Sequence, residues 1–164
     1  MELVSKKEFA NGVVYAFRTP DGFMVETTDT FLPFYTQDSL HRKSNLLEDE
    51  ALGDRTERWM IGVSVMSGCP VRCKFCATGN MKKYRNLTAE EILWQVEYVI
   101  NSRPEKFTEA KEHKINYTRM GEPFLNIENV KKAIALIGTA YPGTHTMSQL
   151  LELLDLTILG SRET

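Results

Sequence analysis

The sequence predicts an α/β protein: an N-terminal β-hairpin followed by two or three strand–helix units of a parallel sheet. Two β-prone runs, Val13-Val14-Tyr15-Ala16-Phe17 and Phe23-Met24-Val25-Glu26-Thr27, flank the turn residues Thr19-Pro20-Asp21-Gly22, which is the pattern of a hairpin. Two short runs fit buried strands, one at residues 59–66 and one at 115–120, and each leads through a glycine-containing loop toward a stretch of helical period. Strand, helix, strand, helix in that order requires parallel pairing with right-handed crossovers.

Taken in order, residues 1–9 contain no run resembling a signal peptide, and no stretch approaches membrane-spanning length. A cytoplasmic location and no membrane partner are expected. The hairpin aromatics read as a packing face. Residues 36–57 are polar and of mixed charge, with Glu48-Asp49-Glu50 and Asp54 against Arg42, Lys43 and Arg55, and read as a loop with a helical turn near residues 46–52. The strand at 59–66 then ends where a cysteine loop begins, and α/β sites gather at the carboxyl ends of parallel strands.

After that loop, Thr88 is the expected N-cap of a helix. Glu91 completes a capping box and Leu87 can staple to Ile92. Ile92, Val96 and Val99, with Leu93 and Ile100 beside them, form its apolar stripe, Trp94 and Tyr98 pair along it as packing, and Pro104 ends it. Residues 105–114 read as a charged connection before the second strand. Asn126 is the expected cap of a second helix with Ile127, Val130, Ile134 and Ile137 buried and Lys131-Lys132 exposed. Residues 150–159 contain six leucines, and Thr146 with Gln149 would cap a short helix there.

The composition of the 164 residues, 42% apolar and 26% charged, suits one soluble globular domain. A net charge of −2 argues against a generally basic RNA-coating protein. Locally the balance differs: Arg58, Arg72, Lys74, Lys82, Lys83 and Arg85 occur between residues 58 and 89 with no Asp or Glu. This positive island suits attraction of phosphate or carboxylate as well as it suits a solvated loop.

All three cysteines, Cys69, Cys73 and Cys76, fall within one eight-residue window, with Gly68 and Pro70 supplying turn chemistry. In a reducing compartment such a group reads as metal ligands and not as a disulfide framework. Structural zinc wants four donors, commonly as two pairs, and His41, His113 and His145 are isolated; a zinc-binding domain stays an alternative. A four-iron cluster held by three thiolates keeps one iron open, where an electron-transfer cluster takes four.

The spacing CxxxCxxC with Phe75 before the last cysteine resembles the signature of the radical S-adenosylmethionine superfamily. The runs Ser67-Gly68-Cys69, Cys76-Ala77-Thr78-Gly79, Arg85-Asn86-Leu87-Thr88-Ala89-Glu90-Glu91-Ile92 and Met120-Gly121-Glu122-Pro123-Phe124-Leu125-Asn126 narrow the likeness to the ribosomal RNA adenine methyltransferases of the RlmN/Cfr family. The resemblance covers roughly residues 13–145. It implies a partial (βα)6 barrel core at residues 58–145, after an N-terminal hairpin extension and linker at 1–57 and before a leucine-rich tail at 146–164 unlike the family. It implies a [4Fe-4S] cluster on Cys69, Cys73 and Cys76, and S-adenosyl-L-methionine contacted by Phe75 near the adenine and by Met120, Gly121, Glu122 and Pro123 near the amino group. Family members commonly carry glycine where Arg119 stands.

The activity so implied is reductive cleavage of S-adenosylmethionine to modify an RNA adenine, with ribosomal or transfer RNA as substrate and flavodoxin or ferredoxin as electron donor. Against it stands the want of any further cysteine to carry the methyl group, so no catalytic residue is assigned. The abrupt change after His145 suggests truncation, with a frameshift near that residue as its expected route. The alternative is therefore a catalytically incompetent, cluster-binding relative serving as a binding or regulatory module, and self-association or a partner chain could complete the barrel.

Overall fold

The computed structural model describes residues 1–31, 55–56 and 58–146. The loop reading of residues 36–54, the helical turn within it and the leucine-rich tail lie outside the described residues. Six strands form one mixed sheet: β1 (Glu2–Phe9), β2 (Gly12–Arg18), β3 (Met24–Phe31) and β4 (Arg58–Gly62), then β7 (Glu112–Asn116) and β8 (Thr144–Thr146). Neighbours among the first four pair antiparallel, whereas β4–β7 and β7–β8 are parallel. A second ladder joins β5 (Met66–Ser67) to β6 (Arg85–Asn86). The helices α1 (Ala89–Ser102), α2 (Pro104–Glu109) and α3 (Ile127–Ala140) make the crossovers.

The predicted hairpin is β2–β3. Its turn is closed by the Gly22 N–H donating to the Thr19 carbonyl (2.9 Å), with the Thr19 hydroxyl donating to Asp21 (2.6 Å). Strand β1, which the sequence reading left unassigned, turns back onto β2 through Ala10-Asn11, a short link typical of hairpins. The first parallel strand ends at Gly62, short of the expected 66, because the chain leaves the ladder there and is captured by the segment after β7. The connection at 105–114 holds a short helix, α2, with Pro104 in its first turn, where the missing N–H costs nothing.

One face of the sheet is apolar because side chains alternate. Val13, Tyr15 and Phe17 of β2, Val25 of β3, Trp59 and Ile61 of β4 and Ile115 of β7 meet Ile92, Val96 and Val99 of α1 and Val130, Ala133 and Ile137 of α3. Trp94 and Tyr98 pack edge-on against Phe17 at 4.9 and 4.8 Å between ring centres, so both serve as packing. Asp29 is fully buried on this face. Its carboxylate accepts from Trp59 Nε1 (2.6 Å), Arg55 Nε (2.8 Å) and Arg103 Nε (3.2 Å), tying β3 and β4 to the end of α1.

The capping box forms as expected: Glu91 N–H donates to the Thr88 hydroxyl and Thr88 N–H to the Glu91 carboxylate. Asn126 departs from expectation. It precedes α3 but makes no side-chain cap. Its buried Nδ2 donates instead to the carbonyls of Val65 and Leu87, both at 2.8 Å.

Candidate functional site

The residues singled out by sequence lie on two loops at the carboxyl ends of β4 and β7, and the base of those loops is rigidly built. Residues 63–67 are gripped from four sides. The amides of Val65 and Met66 both donate to the Met120 carbonyl (2.9 and 3.1 Å), and Arg119 N–H donates to the Val63 carbonyl (3.2 Å). The hydroxyls of Ser64 and Ser67 donate to the β3 carbonyls of Glu26 (2.5 Å) and Met24 (2.6 Å). Gln95, 0% exposed on α1, accepts from Ser64 N–H (2.9 Å) and donates to the Ser64 carbonyl (2.9 Å), while also accepting from Thr27. Asn126 takes the Val65 carbonyl. Every bond here satisfies a group that burial would otherwise leave unpaired.

Gly121 completes this base. Its φ is +96°, and a Cβ built there would stand 2.5 Å from the Met66 Cβ, so the residue must be glycine on both conformational and spatial grounds. Met120 is buried with its carbonyl engaged twice. Glu122 turns its carboxylate back to accept from Phe124 N–H (3.1 Å), and Pro123 starts a short 3-10 turn. Arg119 lies across Gly62 and pairs with Glu26.

The cysteine loop above this base is held mainly by itself. Cys76 N–H donates to the Cys73 carbonyl (3.0 Å), Gly79 N–H to the Cys76 carbonyl (3.3 Å) and Met81 N–H to the Thr78 carbonyl (3.2 Å). Arg72 is in the left-handed region at φ 53°, a conformation costing about 1–3 kcal/mol for a residue with a side chain. All three cysteines are free thiols, Cys73 exposed and Cys69 and Cys76 half-buried. The Thr78 hydroxyl and amide hold the Cys76 thiol below its usual pKa. Phe75 is 94% exposed.

The structure sorts the positive island. Arg58 pairs with Glu112, and Arg85 bridges Asp21 and Glu91, at 2.8 Å to each. Arg85 pushes the Asp21 carboxyl down to about 2 and holds Glu91 below the usual carboxylate range. Arg72, Lys74, Lys82 and Lys83 form no ion pair among the described residues. Arg72, Lys74 and Lys82 line a cleft of about 350 Å³ together with Cys73, Gly79, Asn80 and Met81, and Lys83, Phe75 and Tyr84 are near them in the chain, both rings being exposed.

This open sheet, with helices on one face and loops gathered at the strand ends, is part of a radical S-adenosylmethionine barrel that does not close. A crystal structure of a radical SAM methyltransferase from Sphaerobacter thermophilus superposes with a TM-score of 0.62 at 29% identity, over 84% of this chain and 33% of that one. No family model matches the sequence. Among curated proteins the chain resembles dual-specificity RNA methyltransferases RlmN. The protein from Helicobacter hepaticus is 33% identical over 144 residues, 84% of this chain and 38% of the relative. That from Campylobacter concisus is 30% identical over 138 residues, 84% and 33%. A probable RlmN from Heliobacterium modesticaldum is 41% identical over 80 residues, 49% and 21%. The chain thus spans between about a fifth and two fifths of the length of these relatives.

The expectation of a working radical enzyme is corrected by the site itself. Among the described residues no group of three or more His, Cys, Asp or Glu is placed to hold a metal ion. Cys69, Cys73 and Cys76 share a loop but, among the described residues, are not gathered into a ligand set for a metal ion. No helix among the described residues is long and apolar enough to cross a membrane.

Sequence reasoning did not single out Gln95, Ser64 or Asp29. Gln95 and Asp29 sit at apolar-face positions, a polar residue inside an apolar period, and that was the available signal.

Proposed function

We propose that this chain is a catalytically incomplete relative of the radical methyltransferases that acts as a binding module for RNA. The observation that carries this reading is a set of four cations, Arg72, Lys74, Lys82 and Lys83, that form no ion pair among the described residues and are interspersed in the chain with exposed Phe75 and Tyr84. Cations neutralise phosphates and release counterions, while exposed rings stack on unpaired bases. With a net charge of −2 over the chain, attraction for RNA needs a local concentration of cations, which this patch supplies. The [4Fe-4S] cluster and S-adenosylmethionine implied by the family likeness would require the 69–76 loop to rearrange, and the binding role does not depend on them.

The test is fluorescence anisotropy with a labelled RNA hairpin bearing a single-stranded loop, across a salt series. Four phosphate contacts give a slope of roughly −3 in log affinity against log salt, at about 0.7 per contact. The double substitution Lys82→Glu/Lys83→Glu is expected to weaken binding about tenfold or more. An affinity indifferent to salt and to both substitutions overturns the reading. In parallel, anaerobic treatment with iron, sulfide, S-adenosylmethionine and a strong reductant is expected to yield no 5'-deoxyadenosine; its formation would restore catalysis.

A further inference from the structure

Helix α1 carries the carboxylates Glu90, Glu91 and Glu97 and no basic residue along its length. The first two are spent, Glu90 on Lys132 (2.7 Å) and Glu91 on Arg85 (2.8 Å). Glu97 is half-buried and forms no ion pair among the described residues. It lines a cleft of about 360 Å³ with Trp94, Tyr98, Asn101 and Ser102, one strip of the helix at spacings of three and four residues. This cleft shares no residue with the cationic one beside the cysteine loop.

The aromatic wall of the cleft is fixed by packing. Trp94 and Tyr98 stack at 5.2 Å with 28° between their planes, and Phe17 stands edge-on to both from the sheet. Tyr15 meets Tyr98 edge-on at 5.5 Å. The faces of such rings are negative and attract cations. The last turn of α1 adds to this, since its carbonyls are the negative end of the helix dipole and no basic residue sits there. Arg103, just beyond, is spent on the buried carboxylate of Asp29.

The wall also selects the kind of cation. A primary ammonium carries three donors and a tightly held water shell, and ring faces offer no acceptors to replace that shell. A trimethylated ammonium has no such donors, spreads its charge over its methyl groups and suits ring faces beside a carboxylate. We infer that the cleft between Trp94, Glu97 and Tyr98 is a binding site for a trimethylammonium group, the rings taking the methyl groups and the Glu97 carboxylate balancing the charge. The site does not depend on whether the cysteine-loop face binds RNA.

The test is titration of the full chain with choline at constant ionic strength, read by tryptophan fluorescence. Of the two tryptophans, Trp59 is fully buried and Trp94 lines the cleft, so a ligand there alters the Trp94 signal. Saturation transfer from the aromatic protons of the protein to the choline methyl groups reads the same contact independently of fluorescence. Saturable binding on the order of millimolar is expected, at least about fivefold tighter than for the neutral carbon analogue in which a tert-butyl group replaces trimethylammonium. Glu97→Gln, which keeps a good helix former in place, is expected to weaken choline about fivefold and to leave the carbon analogue unchanged. Trimethyl-lysine titrated in parallel distinguishes the source of the group: tighter binding of choline assigns a small molecule, tighter binding of trimethyl-lysine a modified protein side chain. Absence of both signals, equal affinity for choline and its carbon analogue, or choline binding unaltered in Glu97→Gln would each overturn the inference.

Discussion

The segment 63–67 and the loop 69–80 are contiguous in the chain and opposite in construction. The first is bonded to β3, to α1, to Asn126 and to residues 116–120, all remote in sequence. The second closes mainly on itself, through contacts three residues apart. A segment whose polar groups are satisfied by remote partners opens only when those partners separate, while one satisfied locally can be remade alone. The cysteine loop is therefore the adaptable part of the site and the segment beneath it the fixed part.

Hydrogen exchange is the widest measure of that difference. The amides of Val65, Met66 and Leu87, each donating within the fixed base, should exchange at least about a thousandfold more slowly than those of Arg72 and Lys74, since core opening approaches the global stability of a small domain. Equal protection in the two segments would break the comparison.

Substituting Gln95→Leu strips both the Ser64 amide and its carbonyl of their partner inside the core. The expected loss is about 3 kcal/mol in urea unfolding, from the Ser64 amide and carbonyl and the Thr27 hydroxyl left without their Gln95 partner; a loss below about 1 kcal/mol would show that the base rests on its other bonds. Gly121→Ala forces a side chain into the left-handed region and onto Met66. A destabilisation of about 2 kcal/mol is expected, with a wild-type thermal midpoint as the contrary result.

Acid sharpens a second contrast, between the fixed base and the bridge at its edge. Arg85 depresses the carboxyls of both Asp21 and Glu91 in the folded protein. Depressed values mean that the folded state holds its protons less well than the unfolded chain. The contribution is complete above the unfolded values near pH 4 and vanishes as pH falls toward about 2. Arg85→Gln should flatten the fall in urea midpoint across that window while lowering stability at pH 7 only slightly, because Asp21 is exposed and its pairing is screened by solvent. An unaltered acid profile would assign the slope to other carboxyls.

The smallest effect belongs to the thiols. Replacing Cys69, Cys73 and Cys76 together with serine should shift stability by no more than about 0.5 kcal/mol, as for surface positions generally. A larger loss, read by thermal melting of the metal-free protein, would mean that the loop supports the fold.

Much of the architecture was legible because it rests on short-range rules. The Pro20-Asp21-Gly22 turn, the Thr88–Glu91 capping box and the helix stop before Pro104 each depend on residues within a few positions of one another. The first strand was not read, since Glu2–Phe9 is exposed along its whole length and shows no alternation of burial. Asn126 was read as a cap because asparagine before a helix usually is one; its amide instead found two carbonyls 39 and 61 residues away.

By itself the sequence determined the β2–β3 hairpin, the helices α1 and α3 and the sharing of one loop by all three thiols, since spacing, capping and turn chemistry are local. The tertiary structure alone decided which polar side chains become interior fastenings, which cations are consumed in ion pairs, and whether the sulfurs converge. Arg58 and Arg85 look like Lys82 and Lys83 in the chain, and only the approach of Glu112, Asp21 and Glu91 neutralises the first pair and leaves the second facing solvent. Charge pairing and ligand convergence depend on distances of a few ångströms between residues far apart in sequence, and folding alone sets those distances.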